Sequence, residues 1–515
     1  MPRFFNTSGP NDPKRHYTLP ILARLPEVRP LIDRQLYFVI HAPRQSGKTT
    51  LIKTLAQELM TEGKFTALFF SVESASAYLQ NPPAAEIAIL DRIRSNAAHS
   101  LPANEQPPPW PDTPPGTKIV NAFVAWCQNA TKPLVLLIDE IDALEGPILI
   151  SVLRQIREGY NNFRDVFPWS LALVGMRNVR DYKFASGGST STHSASPFNI
   201  AAEALTLGNF TQKEIGDLYA QHSEETGQIF LPEAVERAYA LTGGQPWLVN
   251  ALARQLTEKL VPEREKPISA EDVEQAKENL ILRQDTHLDS LAERLRDPRV
   301  RAVIEAMLLG ERSQASADDR SYAIDLGLLR RSPEGGLVVS NPIYKEIIVR
   351  VLSKDLADEM LPLAPSWLTK EGKLNKDALL SSFIAFWRQH GEALMGTSPY
   401  HEAAPHLVLM AFLHRVVNGG GVVEREYAIG MGRMDICVRF GGEVLGIELK
   451  VWREKKPDPE RQGLEQLDEY LAGIDQQSGW LIIFDRRPDQ PPVEQRVSVH
   501  QAQTPSGRLI QVVRA

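Results

Sequence analysis

The chain has 515 residues, 43% hydrophobic and 23% charged, enough core-forming material for roughly three to four domains of ordinary size. That balance excludes a mainly disordered, collagen-like or coiled-coil chain. A formal net charge of −7 excludes a uniformly basic nucleic-acid coat but leaves room for local basic surfaces. Two cysteines, Cys127 and Cys437, are too few for a disulfide framework or a cysteine-based zinc site, and read as small core residues in a reducing compartment. The longest unbroken apolar run, Leu407–Leu413, is too short to cross a bilayer, and the first residues lack the apolar stretch of a signal peptide. The expected location is the cytoplasm, with no membrane partner.

Residues 1–208 alternate short apolar runs with helical stretches. Strands are predicted at Leu36–His41, Phe65–Val72, Leu134–Ile138 and Ser170–Val174. They are apolar nearly throughout, the pattern of a parallel sheet covered on both faces. Between them, Gln106-Pro-Pro-Pro-Trp-Pro-Asp-Thr-Pro-Pro cannot be helix interior or central strand. It reads as a stiff spacer loop, with a peptide-docking motif as the alternative. Residues 186–197 read as a polar, glycine-bearing loop.

The segment His41-Ala-Pro-Arg-Gln-Ser-Gly-Lys-Thr-Thr50 follows an apolar strand and opens a helix. Successive backbone N–H groups there, from Ala42 through Ser46, Gly47 and Thr50, can surround phosphates, aided by the helix N-terminus. Lys48 would reach the β- and γ-phosphates, and the Thr49 hydroxyl would bind Mg²⁺. The usual leading glycine is Ala42 here. A later buried strand ends Ile138-Asp-Glu-Ile-Asp142. Asp139 would hold Mg²⁺ through water, and Glu140 would polarise the attacking water.

With these two segments the first 260 residues or so resemble AAA-type and STAND-like P-loop ATPases. The resemblance implies ATP with Mg²⁺, a polar sensor of the γ-phosphate at Asn178 or Arg177, and an arginine finger for a neighbouring subunit among Arg154, Arg157 and Arg180. A homo-oligomer is expected. It also likens Leu241-Thr-Gly-Gly-Gln-Pro-Trp to a helical lid whose Pro246 would press on adenine, with Tyr17 and Arg24 closing the base's other side.

Residues 209–290 turn helical and form the expected lid, opening on a capping box between Thr211 and Glu214. Residues 291–353 have the helices, glycine turn and strand of a winged helix. Its second helix, near Ala317–Asp325, carries three aspartates against one arginine, a poor surface for a polyanion. Arg294, Arg296, Arg299, Arg301, Arg330 and Arg331 are the better basic candidates. Residues 354–399 read as a helical linker.

Residues 400–515 read as helix (Tyr400–Val417), strands Val422–Ala428, Arg433–Phe440 and Val444–Lys450, helix Pro459–Ala472 and strand Gly479–Phe484. Glu448 and Lys450 alternate onto one face of their strand. With Asp435 on the neighbouring strand they would converge as two carboxylates and an ammonium. That trio suits metal-assisted phosphodiester hydrolysis, with Asp435 and Glu448 binding Mg²⁺ or Mn²⁺ and Lys450 positioning water or offsetting charge.

Gly432-Arg-Met-Asp435, Ile447-Glu-Leu-Lys450 and Leu464-Glu-Gln-Leu-Asp-Glu-Tyr470 resemble the PD-(D/E)xK nuclease superfamily across most of residues 376–484. The family's leading proline is Met434 here. The resemblance implies that Gln466 and Tyr470, one turn apart, look into the cleft, and that the first helix supplies an acid, Glu402 before Glu392 or Glu424.

The expected architecture is therefore multidomain α/β: a parallel-sheet ATPase, a helical lid, a winged helix and a restriction-endonuclease-like domain. The expected function is ATP-regulated, metal-dependent cleavage of nucleic acid, DNA foremost, and by the company of these domains prokaryotic defence against phage or mobile elements. The alternative is an ATP-driven sensor, scaffold or DNA-binding ATPase whose nuclease fold binds without cutting.

Overall fold

The computed structural model describes the chain apart from residues 1, 178–199, 284–290, 292, 309–314, 334, 360–366, 370–372, 398–403, 418–421, 429–432, 441 and 489. It divides into two units, residues 1–283 with 324–327, and residues 284–323 with 328–515.

The first unit is built on β1 (Tyr37–His41), β2 (Thr66–Ser71), β3 (Leu134–Asp139), β4 (Ser170–Gly175) and β5 (Ala201–Thr206). They form one parallel sheet in the order β2-β3-β4-β1-β5. Successive residues serve opposite faces. Phe38 and Ile40 join Val135 and Leu137 beneath α1 (Val28–Asp33) and α2 (Lys48–Glu62). Tyr37 and Val39 join Leu136 and Ile138 on the other face, under α3 (Pro82–Ser100), α4 (Lys118–Asn129) and α5 (Gly146–Asn162). Burial on both faces is why these strands are uninterrupted apolar runs. The edge strand β5 was not expected: of its residues only Leu205 is fully buried, so its sequence carries little periodic signal.

The proline-rich segment is fastened down. Trp110 Nε1 donates to Leu90 O at 3.3 Å, and the Arg94 guanidinium lies over the Trp110 ring. Buried Glu105 accepts from Thr66 Oγ1 at 2.9 Å and from Lys132 Nζ at 2.6 Å.

The region expected as the lid contains α6 (Gln212–Thr226), α7 (Pro232–Thr242), α8 (Pro246–Gln255) and α9 (Ala270–Arg283). Both bonds of the Thr211–Glu214 capping box are present. The N-terminal residues pack onto this lid, where Phe5 and Tyr17 join Tyr219, His222 and Phe230 in an aromatic cluster.

The second unit contains α10 (Pro298–Leu308) and most of α11 (Ala317–Asp325), then the hairpin of β6 (Leu329–Arg331) and β7 (Leu337–Val339), and α12 (Pro342–Glu359). Arg299 is paired with Asp318 and Asp319 and lies over the Tyr322 ring. It is thereby removed from the basic groups expected to meet a polyanion. Residues expected as linker include α13 (Lys376–Thr397), whose Trp387 ring packs on Phe484.

A mixed sheet in the order β12-β13-β11-β10-β9-β8 closes the unit. Its strands are β8 (Val422–Ala428), β9 (Arg433–Phe440), β10 (Glu443–Trp452), β11 (Ser478–Asp485), β12 (Ser498–Gln503) and β13 (Leu509–Arg514). β10, β11 and β13 run parallel, and β8, β9 and β12 pair antiparallel to their neighbours. On one face α15 (Glu460–Gly473) contributes Leu467, Tyr470 and Leu471 to a core with Cys437, Leu481 and Ile483. Flanking helix α14 (Ala404–Val417) buries Leu407–Leu413 throughout.

Cys127 is half-buried and Cys437 buried, and neither forms a disulfide. Burial pushes the Cys127 thiol up to about 12.

Candidate functional site

The loop between β1 and α2 is shaped by two left-handed residues, Gln45 at φ 58° and Gly47 at φ 98°. Ala42 has no such need: its N–H donates to Gly175 O, its methyl is buried in the core beneath α2, and its φ is negative. Alanine therefore fits where a leading glycine is usual. Lys48 Nζ donates to Ala42 O and Pro43 O at 2.7 and 2.8 Å. Burial pulls this ammonium down to about 8, against the opposing pull of Asp142 and Asp139.

Thr49 Oγ1 donates to Asp139 Oδ2 at 2.8 Å, which brings together the two residues expected to serve one Mg²⁺. Burial is the main reason the Asp139 carboxyl sits above its usual range, with the Thr49 hydroxyl acting the other way. Glu140, next in the chain, takes a left-handed φ of 56°. Its Oε2 accepts from Ser71 Oγ at 2.6 Å. Its charge holds the neighbouring Glu73 carboxyl above the ordinary range.

Ser46 is buried with no partner for its hydroxyl, and Thr50 Oγ1 accepts from Asn11 N at 3.1 Å. Arg177 is buried, with its Nε 3.4 Å from Asp325 Oδ2 within the same unit. Arg154 and Arg157 stand on α5, exposed and half-buried respectively. Asn178 and Arg180 lie outside the described residues.

An open cleft lies beside the loop. The phosphate loop contributes Gln45, Ser46, Gly47 and Thr50; the lid contributes Phe210, Pro246, Trp247 and Asn250; the N-terminal segment contributes Asn6, Thr7, Gly9 and Asn11. A nucleotide with its phosphates on the loop would place its base and ribose here. Pro246, at the start of α8, is one of the cleft's lining residues.

Tyr17 and Arg24 do not line it. Tyr17 is buried in the lid's aromatic cluster, and Arg24 is held by Glu214 at 2.7 Å and Gly208 O at 2.8 Å. The N-terminal wall went unread in the sequence because Asn6, Thr7 and Asn11 belong to no motif. It is fixed by contacts instead: Trp247 Nε1 donates to Thr7 O at 2.8 Å and Asn6 Nδ2 to Asn11 Oδ1 at 2.8 Å.

The mixed sheet carries the second candidate site. Antiparallel pairing sets Asp435 directly opposite Glu448. Glu448 is fully buried. Its Oε1 accepts from Lys450 Nζ, whose ammonium also donates to Gln466 on α15. Glu448 Oε2 is buried without a hydrogen-bond partner, an acceptor oxygen suited to a cation. Among the described residues no group of three or more His, Cys, Asp or Glu forms a metal-binding cluster.

Gln466 thus meets Lys450, whereas the Tyr470 ring turns into the core beside Gly446. Glu402 lies outside the described residues; Glu392 and Glu424 lie on α13 and β8, with their side chains undescribed. An unanticipated neighbour is His406 on α14, buried against Phe484. Burial, then the charges of Lys450 and Arg453, pull its imidazole down to about 4.

Among the described residues no helix is long and apolar enough to cross a membrane. No curated protein matches the sequence. A Walker-type ATPase of Pyrococcus abyssi is similar in structure at 11% identity and a TM-score of 0.46, over 67% of this chain and 99% of that one. The Thermotoga maritima RuvB Holliday junction branch migration motor follows at 17% identity and a TM-score of 0.35, over 63% of this chain and 94% of that one. The Aeropyrum pernix ORC1 protein in complex with DNA shows 15% identity and a TM-score of 0.35, over 66% and 94%. These likenesses are too loose to assign a role. Residues 32–182, however, match the AAA domain model, and they hold the phosphate loop, Asp139 and Glu140. The chain carries an AAA-type P-loop ATPase domain.

Proposed function

We propose that ATP binding and hydrolysis in the first unit regulate metal-dependent cleavage of nucleic acid, DNA foremost, by the C-terminal mixed-sheet domain. The supporting observation is the hydrogen-bonded Glu448–Lys450–Gln466 trio with Asp435 paired opposite Glu448. Asp435 and Glu448 would hold Mg²⁺ or Mn²⁺, which supplies Lewis-acid charge and an activated water. Lys450, fixed between Glu448 and Gln466, stands ready to offset charge building on a scissile phosphate. In the ATPase domain Lys48 would hold the triphosphate, Thr49 and Asp139 would hold Mg²⁺, and Glu140 would align water once it leaves Ser71. Assembly of several copies would let one subunit's arginine complete the next subunit's ATP site, and the biological setting we infer is defence against phage or mobile DNA.

The test incubates purified protein with plasmid, linear and single-stranded DNA and with RNA, plus Mg²⁺ or Mn²⁺, with and without ATP. Lys450→Ala and Asp435→Asn should each abolish cleavage while ATP hydrolysis persists. Cleavage that survives both substitutions overturns the nuclease assignment. ATP-dependent binding with no cleavage by the unmodified chain identifies a clamp instead.

A further inference from the structure

The face of β10 that carries Glu448 and Lys450 continues to Trp452, since alternate strand residues share a face. Trp452 packs against the same core as α15, the helix that supplies Gln466. It also marks an edge of the sheet. In register with Asp485, it ends β10 where the parallel strands β11 and β13 end at Asp485 and Arg514. Carboxyl ends of parallel strands are where open α/β sheets bind their ligands.

Two guanidinium groups lie over the indole, Arg487 with its Cζ 3.5 Å from the ring centroid and Arg514 at 5.2 Å. Asp485 holds Arg487, its Oδ2 2.6 Å from Nη2, so the stacked plane is fixed, and the Arg487 side chain keeps 33% exposure. Asp458 and Glu460 hold Arg514. Beyond Trp452 the chain doubles back through Lys455, at a left-handed φ of 63°, so that Lys456 O accepts from Trp452 Nε1 at 3.1 Å. That turn exposes Glu454, Lys455 and Lys456, the two lysines with no ion pair among the described residues, while the other nearby acids Asp485, Asp458 and Glu460 are committed to arginines. In a chain of net charge −7, a stacked guanidinium plane beside two uncommitted ammonium groups is a surface for a strand of nucleic acid.

We propose that this rim grips the strand presented to the Glu448–Lys450 site: Lys455 and Lys456 take its phosphates, and an unpaired base stacks on the Arg487 guanidinium above Trp452. The proposal rests on the reading of this domain as acting on nucleic acid, and commits it to a strand with single-stranded character at the rim.

Binding of the full chain to a labelled single-stranded oligodeoxynucleotide, and to the same sequence as duplex, is measured by fluorescence anisotropy in EDTA across a salt series. Lys455→Ala/Lys456→Ala should weaken single-strand binding about tenfold and flatten the log K against log salt slope by roughly 1.4, two phosphates at about 0.7 each. Arg487→Lys keeps the charge and the Asp485 pair but loses the plane. It should weaken single-strand binding by about tenfold and leave duplex binding nearly unchanged. Wild-type affinity and slope in the double-lysine variant overturn the proposal, as does equal loss on both substrates for Arg487→Lys. The two readings fail separately. Rim-dependent binding without cleavage in Mg²⁺ or Mn²⁺ retains the surface and removes the nuclease. Normal cleavage with rim-independent binding does the reverse.

Discussion

Ser71, the last residue of β2, donates its hydroxyl to Glu140 Oε2 at 2.6 Å and so holds the expected catalytic carboxylate on the neighbouring strand's end. Sheet register explains the meeting, because Ser71 pairs with Asp139 and Glu140 follows in a left-handed turn. The bond occupies a carboxylate oxygen that would otherwise be open to accept from a water. Ser71→Ala should therefore raise basal ATP turnover about 3- to 10-fold, the equivalent of roughly 1 kcal/mol for one ordinary net hydrogen bond, with little change in KM. Steady-state hydrolysis by the purified variant checks this; a fall in kcat would mean that Ser71 aligns the carboxylate instead of restraining it.

The Lys48 ammonium, pulled down to about 8 by burial, predicts a pH dependence for ATP affinity. A bound triphosphate keeps the amine protonated. Below pH 8 the free protein already carries that proton and affinity should be flat. Above pH 8 binding must take up a proton, so the Kd should rise about tenfold per pH unit. Calorimetric titrations from neutral to alkaline pH read this directly, and a flat Kd would show that phosphate capture does not depend on this ammonium.

Gly244, in the Gly-Gly pair before Pro246, has φ +71°, and an added Cβ would lie 1.8 Å from Phe210 O. Phe210 N in turn donates to Gly244 O at 2.8 Å. Gly244→Ala should cost about 2 kcal/mol or more and weaken ATP binding through the displaced Phe210, which lines the cleft. Gly243→Ala, at φ 56° with its neighbour left intact, should cost less. Denaturant midpoints of the two variants make the comparison; equal losses would place the constraint in the turn rather than in the close approach.

His406 predicts acid sensitivity of the second unit. Its imidazole is held neutral, with a folded value of about 4 against the ordinary 6.5. A depressed value gives stability that is present above pH 6.5 and lost as pH falls toward 4, by at most about 3 kcal/mol. His406→Leu removes the titrating group, and the unpartnered Nδ1 leaves no hydrogen bond to break there. Urea midpoints of the variant should fall less between pH 6.5 and 4 than those of the unmodified chain. Parallel curves would mean that other groups set the acid limit.

What the sequence revealed follows from where each constraint originates. The phosphate loop was legible because its chemistry demands consecutive backbone donors, a lysine and a hydroxyl in one stretch. Glu448, Lys450 and Gln466 were legible because strand alternation places the first two and one helical turn offers the third. The base cleft was not, since its walls come from segments more than 200 residues apart, Thr7 and Trp247 among them. Tyr17 and Arg24 were misplaced for a related reason: an aromatic and a guanidinium near the first strand suit a base equally well on paper. Here the lid's core claims the ring and the capping-box carboxylate claims the guanidinium. β12 stayed hidden because Ser498–Gln503 is an exposed edge strand with almost no apolar pattern.

The N-terminal segment gives the lid a second point of suspension. Arg3 grips Glu225, Gln221 grips both the N–H and carbonyl of Thr18, and Trp247 donates to Thr7 O, while Arg24 is held by Glu214 and Leu207 N–H meets His41 O. The same N-terminal segment reaches the helix that begins at Lys48, where Asn11 N–H donates to Thr50 Oγ1. The first eighteen residues are therefore a strap that ties these helices to the phosphate-loop helix without passing through the sheet.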